Sequence, residues 1–266
     1  MLKSIREKDD VKKHMYFQSA MLIVIYAAIE YPEVRKFAME TENVTVLKPK
    51  MNFKQVLEKY GYPVVSKEQS QYISEYRTTN SDKLKDIRWN GNKWGRGKIS
   101  KKWRYLVNAD FKISNKCCDI MKKNPVKKFE KKTGKHPILG TMCEESALRK
   151  SQWMKSGCNG FESTRPISKP MSFWTNQDVL EYIQTYGIEI PSVYGEIVEE
   201  KGKLKTTKCD RTGCVFCMYG LQSDKTPNRF QRMKETHPRL YEYCLKPKED
   251  GGLGIKDVFD YMGTDY

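Results

Sequence analysis

Three cysteines fall within one short stretch of the sequence, TTKCDRTGCVFCMYG, at positions Cys209, Cys214 and Cys217. Two thiolates in a Cys-x-x-Cys spacing can bind one metal across a tight turn. Structural zinc and 4Fe–4S clusters both take four such ligands. The adjacent pair Cys117 and Cys118 could supply the remaining ligand. Buried small side chains or a redox thiol pair are the alternatives. The spacing favours a metal site, with a 4Fe–4S cluster and zinc both possible and the choice among the five cysteines left open.

The composition indicates the compartment in which these thiols work. Six of the first ten residues are charged, unlike the pattern of a secretion signal. The longest apolar run, residues 21–29, is much shorter than the roughly 20 residues that span a bilayer. We therefore expect a soluble, cytoplasmic protein whose cysteines are reduced unless they bind a metal.

The formal net charge of +16 favours anionic partners, although a solvated basic surface is an alternative. The basic residues are densest over 88–132, where Trp89, Trp94, Trp103 and Tyr105 are interleaved with them. Such a mixture suits phosphate contacts combined with base stacking. It suits equally well a helical subdomain whose tryptophans face inward.

The apolar patterning predicts alternating strands and helices in the first 65 residues, which is typical of a parallel sheet covered by helices. A glycine-interrupted, mostly helical insert should follow. In chain order the predicted elements are strand 21–26, helix 30–42, strand 43–47, helix 53–60, helical insert 66–116, helix 117–132, strand 136–142, helix 144–155, helix 178–186, and helices near 225–245 and 255–262.

A second group of residues could bind an anion. Arg149 can offer a bidentate fork to phosphate or sulfate, and Ser146 opens the same helix with backbone N–H groups. Lys48 and Lys50 are further candidate anion contacts. Glu145 stands four residues before Arg149, so an i,i+4 surface salt bridge is the alternative interpretation.

Several motifs together resemble the phosphoadenosine phosphosulfate (PAPS) reductase family. They are a Cys-Cys pair followed about a hundred residues later by GCVFC, the segment IEYPEVRKF, the motif LGTMCEESALR at 139–149, and KPMSFWTNQDVLEYI at 169–183. The resemblance extends from about residue 21 to residue 220. It implies an α/β, parallel-sheet fold of the adenine nucleotide α-hydrolase type, which is Rossmann-like, with a helical, cysteine-containing C-terminal region. It also implies ATP, adenylyl sulfate or PAPS as ligand, and a cluster near the anionic end of the nucleotide.

Two departures from that family shape the functional hypotheses. The SGGKDS-type pyrophosphate loop does not occur, so the sequence is either truncated or that of a degenerate homologue. The tail also lacks an ECGLH-like cysteine, which favours ATP-dependent sulfur transfer over sulfonucleotide reduction. The alternative hypothesis is a non-catalytic, basic nucleic-acid-binding module with a structural metal. We expect one family domain over 1–220, including the cysteines at 209–217, and a helical extension over 221–266.

Overall fold

The computed structural model describes residues 22–25, 29–161 and 163–266. Contacts divide the chain into two compact units. Unit 1 comprises the described parts of residues 1–26, 30–47 and 126–213. Unit 2 comprises the described parts of residues 27–29, 48–125 and 214–266. The domain boundary predicted at residue 220 stays a prediction.

Ten α-helices are found in the described residues. They are α1 Pro32–Glu40, α2 Phe53–Tyr60, α3 Lys67–Thr78, α4 Asp82–Asn90, α5 Asn124–Thr133, α6 Ala147–Ser156, α7 Asn176–Tyr186, α8 Arg229–Thr236, α9 Pro238–Leu245 and α10 Ile255–Met262. A π-helical turn, Asp119–Lys123, precedes α5. Short 3₁₀ helices span Lys101–Asn108, Cys143–Glu145, Ser192–Tyr194 and Leu221–Ser223.

The same described residues form eight short strands, which pair two by two. They are β1 Leu22–Ile25, β2 Val44–Leu47, β3 Val64–Val65, β4 Asn159–Gly160, β5 Ile167–Ser168, β6 Ile197–Glu200, β7 Lys203–Thr206 and β8 Met218–Tyr219. In unit 1, β1 and β2 are parallel with Leu22 opposite Val44. The pairs β4–β5 and β6–β7 of the same unit are antiparallel. In unit 2, β3 and β8 are parallel with Val64 opposite Met218.

Side-chain caps explain where several helices begin. Asn52 accepts a hydrogen bond from the backbone N–H of Gln55 at 2.9 Å, and the Gln55 side chain accepts one from the Asn52 N–H at 2.9 Å. Thr175 and Asp178 form the same reciprocal capping box at the start of α7. Because such caps use neighbours in sequence, the predicted starts of α2 and α7 are confirmed to within two residues.

Two parts of the predicted secondary structure are wrong. The segment HPILGTM at 136–142 was expected to be a strand, yet it forms a single bridge, between Ile138 and Ser168. The sequence predicted no strand between helix 178–186 and the helices near 225–245, yet β6 and β7 form a hairpin there. Lys201 and Gly202, both with positive φ, form its turn. A two-residue turn ending in glycine between two polar-apolar stretches was the signal that the sequence offered.

The described apolar core lies in unit 2. Phe230 and Phe259 are buried there with their rings edge-on at 4.8 Å between centroids. The buried Tyr62 hydroxyl donates to the carbonyls of Leu253 and Gly254, at 2.8 and 3.0 Å. These hydrogen bonds join α2 and β3 to the C-terminal helices of the unit.

Within the part of the chain that the structure describes, no helix combines the length and the apolar character needed to cross a lipid bilayer.

Candidate cysteine centre and anion-binding helix

The Cys-x-x-Cys segment forms the tight turn that its spacing predicts. The backbone N–H of Cys217 donates to the carbonyl of Cys214 at 3.0 Å. Between them Val215 is buried, and its N–H donates to the carbonyl of Ile29 at 2.7 Å. The strand β8 follows at once and pairs with β3. The turn is therefore held at both ends by the packed interior of unit 2.

The adjacent cysteines open a helix of the same unit. Helical backbone begins at Cys117 and continues through the π-helical turn toward α5. The Lys116 carbonyl accepts hydrogen bonds from Asp119 and Ile120 at 3.1 and 3.0 Å. Cys117 is buried, whereas Cys118 is half-buried. Two thiols therefore project from the first turn of a helix that is fixed in the core.

The structure brings these two cysteine pairs together, and we call Cys117, Cys118, Cys214 and Cys217 the cysteine set. Burial raises the pKa of the Cys117 thiol, and the other three members of the set raise it further by charge repulsion. Burial likewise raises the pKa of Cys217 to about 11, with Cys214 and Cys118 contributing. Charge effects of this kind act over several ångströms, so they place the four thiols in one region of unit 2.

Two groups beside Cys217 act against the effect of burial and favour negative charge on its sulfur. The backbone N–H of Tyr219 donates to that sulfur, and the nearby Arg229 guanidinium also lowers its pKa. Arg229 donates to the Cys217 carbonyl at 3.3 Å and binds the Asp224 carboxylate through two hydrogen bonds of 2.8 Å. A bidentate pair fixes the guanidinium in place. Sequence reasoning missed Arg229, because nothing in the sequence places residue 229 beside residue 217.

Tyr219 is a second neighbour that the sequence analysis missed. Its hydroxyl is buried and has no hydrogen-bond partner at normal distance among the described residues. The nearby Ser70 hydroxyl is already bonded to the backbone of Val64. Burial raises the pKa of Tyr219, and so does repulsion from three cysteines, Cys118 foremost. An unsatisfied buried O–H therefore lies beside the thiols. Its place directly after the Cys-x-x-Cys turn was the available signal.

The donor set fits a metal cluster chemically, because four soft thiol ligands come from two rigid segments. The described side chains, however, do not form a metal site in their present arrangement. Among the described residues, no group of three or more histidine, cysteine, aspartate or glutamate side chains is placed so that it could hold a metal ion. The fifth predicted ligand, Cys209, belongs to unit 1, where its thiol donates to the Arg211 carbonyl at 3.0 Å. Metal binding by these cysteines stays a prediction.

The predicted anion-binding helix of unit 1 is α6. Ser146 caps its N-terminus by accepting a hydrogen bond from the Arg149 N–H at 3.2 Å. The Glu145 carboxylate accepts one from the Met142 N–H at 2.9 Å and also forms an ion pair with Arg149. The salt bridge that the spacing allowed is therefore present. Lys48 and Lys50 belong to unit 2. The anion-binding role of all five residues stays a prediction.

Comparison with known proteins places the cysteine set and α6 in one family domain. A family model described as "Phosphoadenosine phosphosulfate reductase domain" matches residues 65–219, which is more than half of the chain. No curated protein matches the sequence. The family implies an α/β fold, in agreement with the helices and short parallel strand pairs described above. The match includes every predicted metal ligand, together with Glu145, Ser146 and Arg149. By this match the chain belongs to the phosphoadenosine phosphosulfate reductase domain family.

Proposed function

We propose that this protein binds an adenine nucleotide or sulfonucleotide and transfers sulfur with the help of a 4Fe–4S cluster held by the cysteine set. The observation that carries the proposal is the convergence of four thiols from two separate segments inside the family domain. Zinc is the alternative occupant. When bound, a cluster would supply a redox-active centre for handling sulfur.

The charges and hydrogen bonds around the cysteine set support a bound metal there. Burial and mutual repulsion oppose the ionisation of neighbouring thiols, whereas a bound metal favours it. The Tyr219 N–H on the Cys217 sulfur and the nearby Arg229 guanidinium both stabilise thiolate charge. Hydrogen bonds and positive charges around ligand sulfurs are the means by which proteins tune such clusters.

The burial of Cys244, the last cysteine in the sequence, favours sulfur transfer over sulfonucleotide reduction. Reduction needs an accessible thiolate that attacks sulfur. Cys244 lies within α9 and is fully buried, and burial raises its pKa to about 12. A neutral, inaccessible thiol cannot perform that attack. We therefore assign Cys244 to packing and the reaction to ATP-dependent sulfur transfer.

The anion of the nucleotide would contact α6. Arg149 would exchange its Glu145 partner for the nucleotide phosphate or sulfate, since a guanidinium binds either group bidentately. Ser146 and the first backbone N–H groups of the helix would add donors. Glu145 would then hold Arg149 in place when no nucleotide is bound.

The first test is metal analysis of anaerobically purified protein. We expect about four iron atoms and matching acid-labile sulfide per chain, with a brown chromophore. Replacing any one member of the cysteine set by serine should remove most of the iron. Cys158→Ser, a half-buried cysteine of unit 1, is the matched control and should retain it. Stoichiometric zinc without sulfide would overturn the iron–sulfur assignment, and Cys209→Ser decides whether the fifth cysteine contributes.

The second test is calorimetric titration with ATP and with PAPS. Saturable binding of either nucleotide supports the proposal, and Arg149→Ala should weaken it about tenfold or more through loss of a charge-assisted fork. Arg149→Lys should recover only part of that loss. Folded protein that binds neither nucleotide would contradict the proposed enzymatic role.

A further inference from the structure

A strongly basic, tryptophan-bearing segment of unit 2 is not used by the cysteine set or by α6. Residues 83–105 contain nine lysines and arginines and one acidic residue. We use the name tryptophan surface for six exposed residues of this segment: Lys93, Trp94, Arg96, Lys98, Lys101 and Lys102. None of its five cations forms a salt bridge with another described residue. The positive charge is therefore available to an anionic partner.

The loop that carries Trp94 is internally ordered by hydrogen bonds. The Asn92 side-chain oxygen accepts the N–H groups of Trp94 and Arg96, both at 3.0 Å. The Asn92 backbone N–H donates to the Arg96 carbonyl at 2.7 Å. At Gly91, with φ +101°, a Cβ would lie 2.9 Å from the backbone of Gly95, so only glycine fits. The loop presents its tip in a preorganised form, which lowers the entropy cost of binding.

The two ends of the loop are anchored in unit 2. Ile99 is fully buried, and its N–H donates to the Arg88 carbonyl at 2.7 Å. The Gln69 side chain accepts the Ser100 N–H at 2.9 Å. Arg88 does not belong to the tryptophan surface, because its side chain is mostly buried and pairs with the Glu75 carboxylate at 2.6 Å. The fold thus separates the basic residues that build the unit from those that face solvent.

Trp94 is unusual in this segment because its large aromatic side chain is exposed to solvent. It is 69% exposed at the loop tip, whereas Trp89 packs on Tyr76 at 5.3 Å between ring centroids. The Lys93 ammonium lies 4.3 Å from the Trp94 ring centroid, and the Lys102 ammonium lies 4.9 Å from that of Trp103. Cations beside accessible indoles suit a ligand that offers both phosphates and aromatic faces.

We propose that the tryptophan surface binds single-stranded nucleic acid, with Trp94 stacking on a base and the neighbouring lysines and arginine contacting phosphates. An unpaired strand is favoured over duplex because its base faces are accessible to an exposed indole. An acidic protein would satisfy the charge but would not use the Trp94 ring. This proposal is independent of the proposed sulfur chemistry, since the surface shares no residue with the cysteine set or α6.

The test is fluorescence anisotropy with labelled 20-nucleotide single-stranded DNA and RNA, using the full-length protein. We expect binding that weakens steeply with salt, with a slope of about −0.7 per phosphate contact. Trp94→Ala should lower the affinity by about 5- to 150-fold, the range seen for loss of one base–aromatic stack, while Trp94→Phe should retain most of it. Lys101→Ala/Lys102→Ala should reduce the salt slope.

Matched variants separate this surface from general basic attraction. Phe161→Ala removes an aromatic side chain of similar exposure in unit 1, and Lys225→Ala/Lys246→Ala removes two exposed lysines elsewhere in unit 2. Both should leave the affinity within about twofold. If Trp94→Ala binds as well as the unmodified protein, or if polyglutamate or a 20-base-pair duplex binds equally well, the proposal is overturned. Intact nucleotide binding and iron content in Trp94→Ala would show that only this surface was changed.

Discussion

The two units of the molecule are stabilised by different means. Every apolar side chain that is buried among the described residues belongs to unit 2, and the buried side chain found in unit 1 is Ser172. Unit 1 instead leaves several large apolar side chains in solvent, among them Met154 at 73% exposed and Phe161 at 65%. Its elements are joined by directed polar contacts, such as the two hydrogen bonds of 2.8 Å between the Gln177 side chain and the Leu204 backbone.

This difference bears on the two candidate sites. The cysteine set lies in the unit with an apolar core, where burial raises the pKa of Cys117 and of Cys217. The helix α6, for which anion binding is predicted, lies in unit 1, whose described elements are joined by caps and ion pairs. A metal centre gains from a rigid, low-dielectric environment, whereas a nucleotide site must exchange polar partners during binding. The contrast predicts that the two units respond differently to equivalent mutations.

The largest difference is expected from truncating apolar side chains. Phe259→Ala should lower the free energy of unfolding by about 3–5 kcal/mol, because it opens a cavity against Phe230. Met154→Ala on the exposed side of α6 should change it by less than about 0.5 kcal/mol. Denaturant titration followed by circular dichroism measures both. A cost of several kcal/mol would contradict the exposed position of Met154 and show that its side chain packs in unit 1.

The next effect concerns two bidentate ion pairs, one in each unit. Arg229→Ala should cost about 1–3 kcal/mol at pH 7, since it breaks a mostly buried pair with Asp224. The pair of Arg165 with Glu130, whose guanidinium is the more exposed of the two at 40%, should be worth about 1 kcal/mol or less. Urea denaturation of the two alanine variants alongside the unmodified protein gives both values.

The contribution of the Arg229–Asp224 pair should also depend on pH. Arg229 holds the pKa of Asp224 below its usual value, so this pair stabilises the fold above about pH 4. The contribution is lost as the pH falls through the lowered pKa. The gap between the unmodified protein and Arg229→Ala should therefore shrink between pH 5 and pH 2, as measured by denaturation at each pH. An unchanged gap at the lowest pH would refute the ionic origin of the effect.

The smallest difference is expected from the helix caps, because capping is local. Thr175→Ala at α7 in unit 1 and Asn228→Ala at α8 in unit 2 each remove one reciprocal capping box. Each should cost about 1 kcal/mol. If the units unfold separately, Thr175→Ala will shift the transition of unit 1 and Asn228→Ala that of unit 2 in scanning calorimetry. Identical shifts of one shared transition would mean that the units unfold together.

Local chemistry along the chain made part of this fold predictable. The helix α2 was predicted over residues 53–60, because Gly61 and Pro63, which end it, are neighbours in sequence. Strands β1 and β2 were recognised from short apolar runs rich in branched residues. The Cys-x-x-Cys turn followed from its spacing. The family itself followed from motifs, and the domain match confirmed it.

The tertiary structure decided what depends on distant partners. The 136–142 segment has the composition of a strand but pairs only at Ile138, since a strand exists only where a neighbour accepts its hydrogen bonds. Which thiols lie together was equally undetermined, because Cys117 and Cys217 are a hundred residues apart in sequence and only folding places both in unit 2. The sequence by itself determined the types of side chain available for sulfur, phosphate and base contacts. Packing decided which of them are buried together and which, like Trp94, remain in solvent.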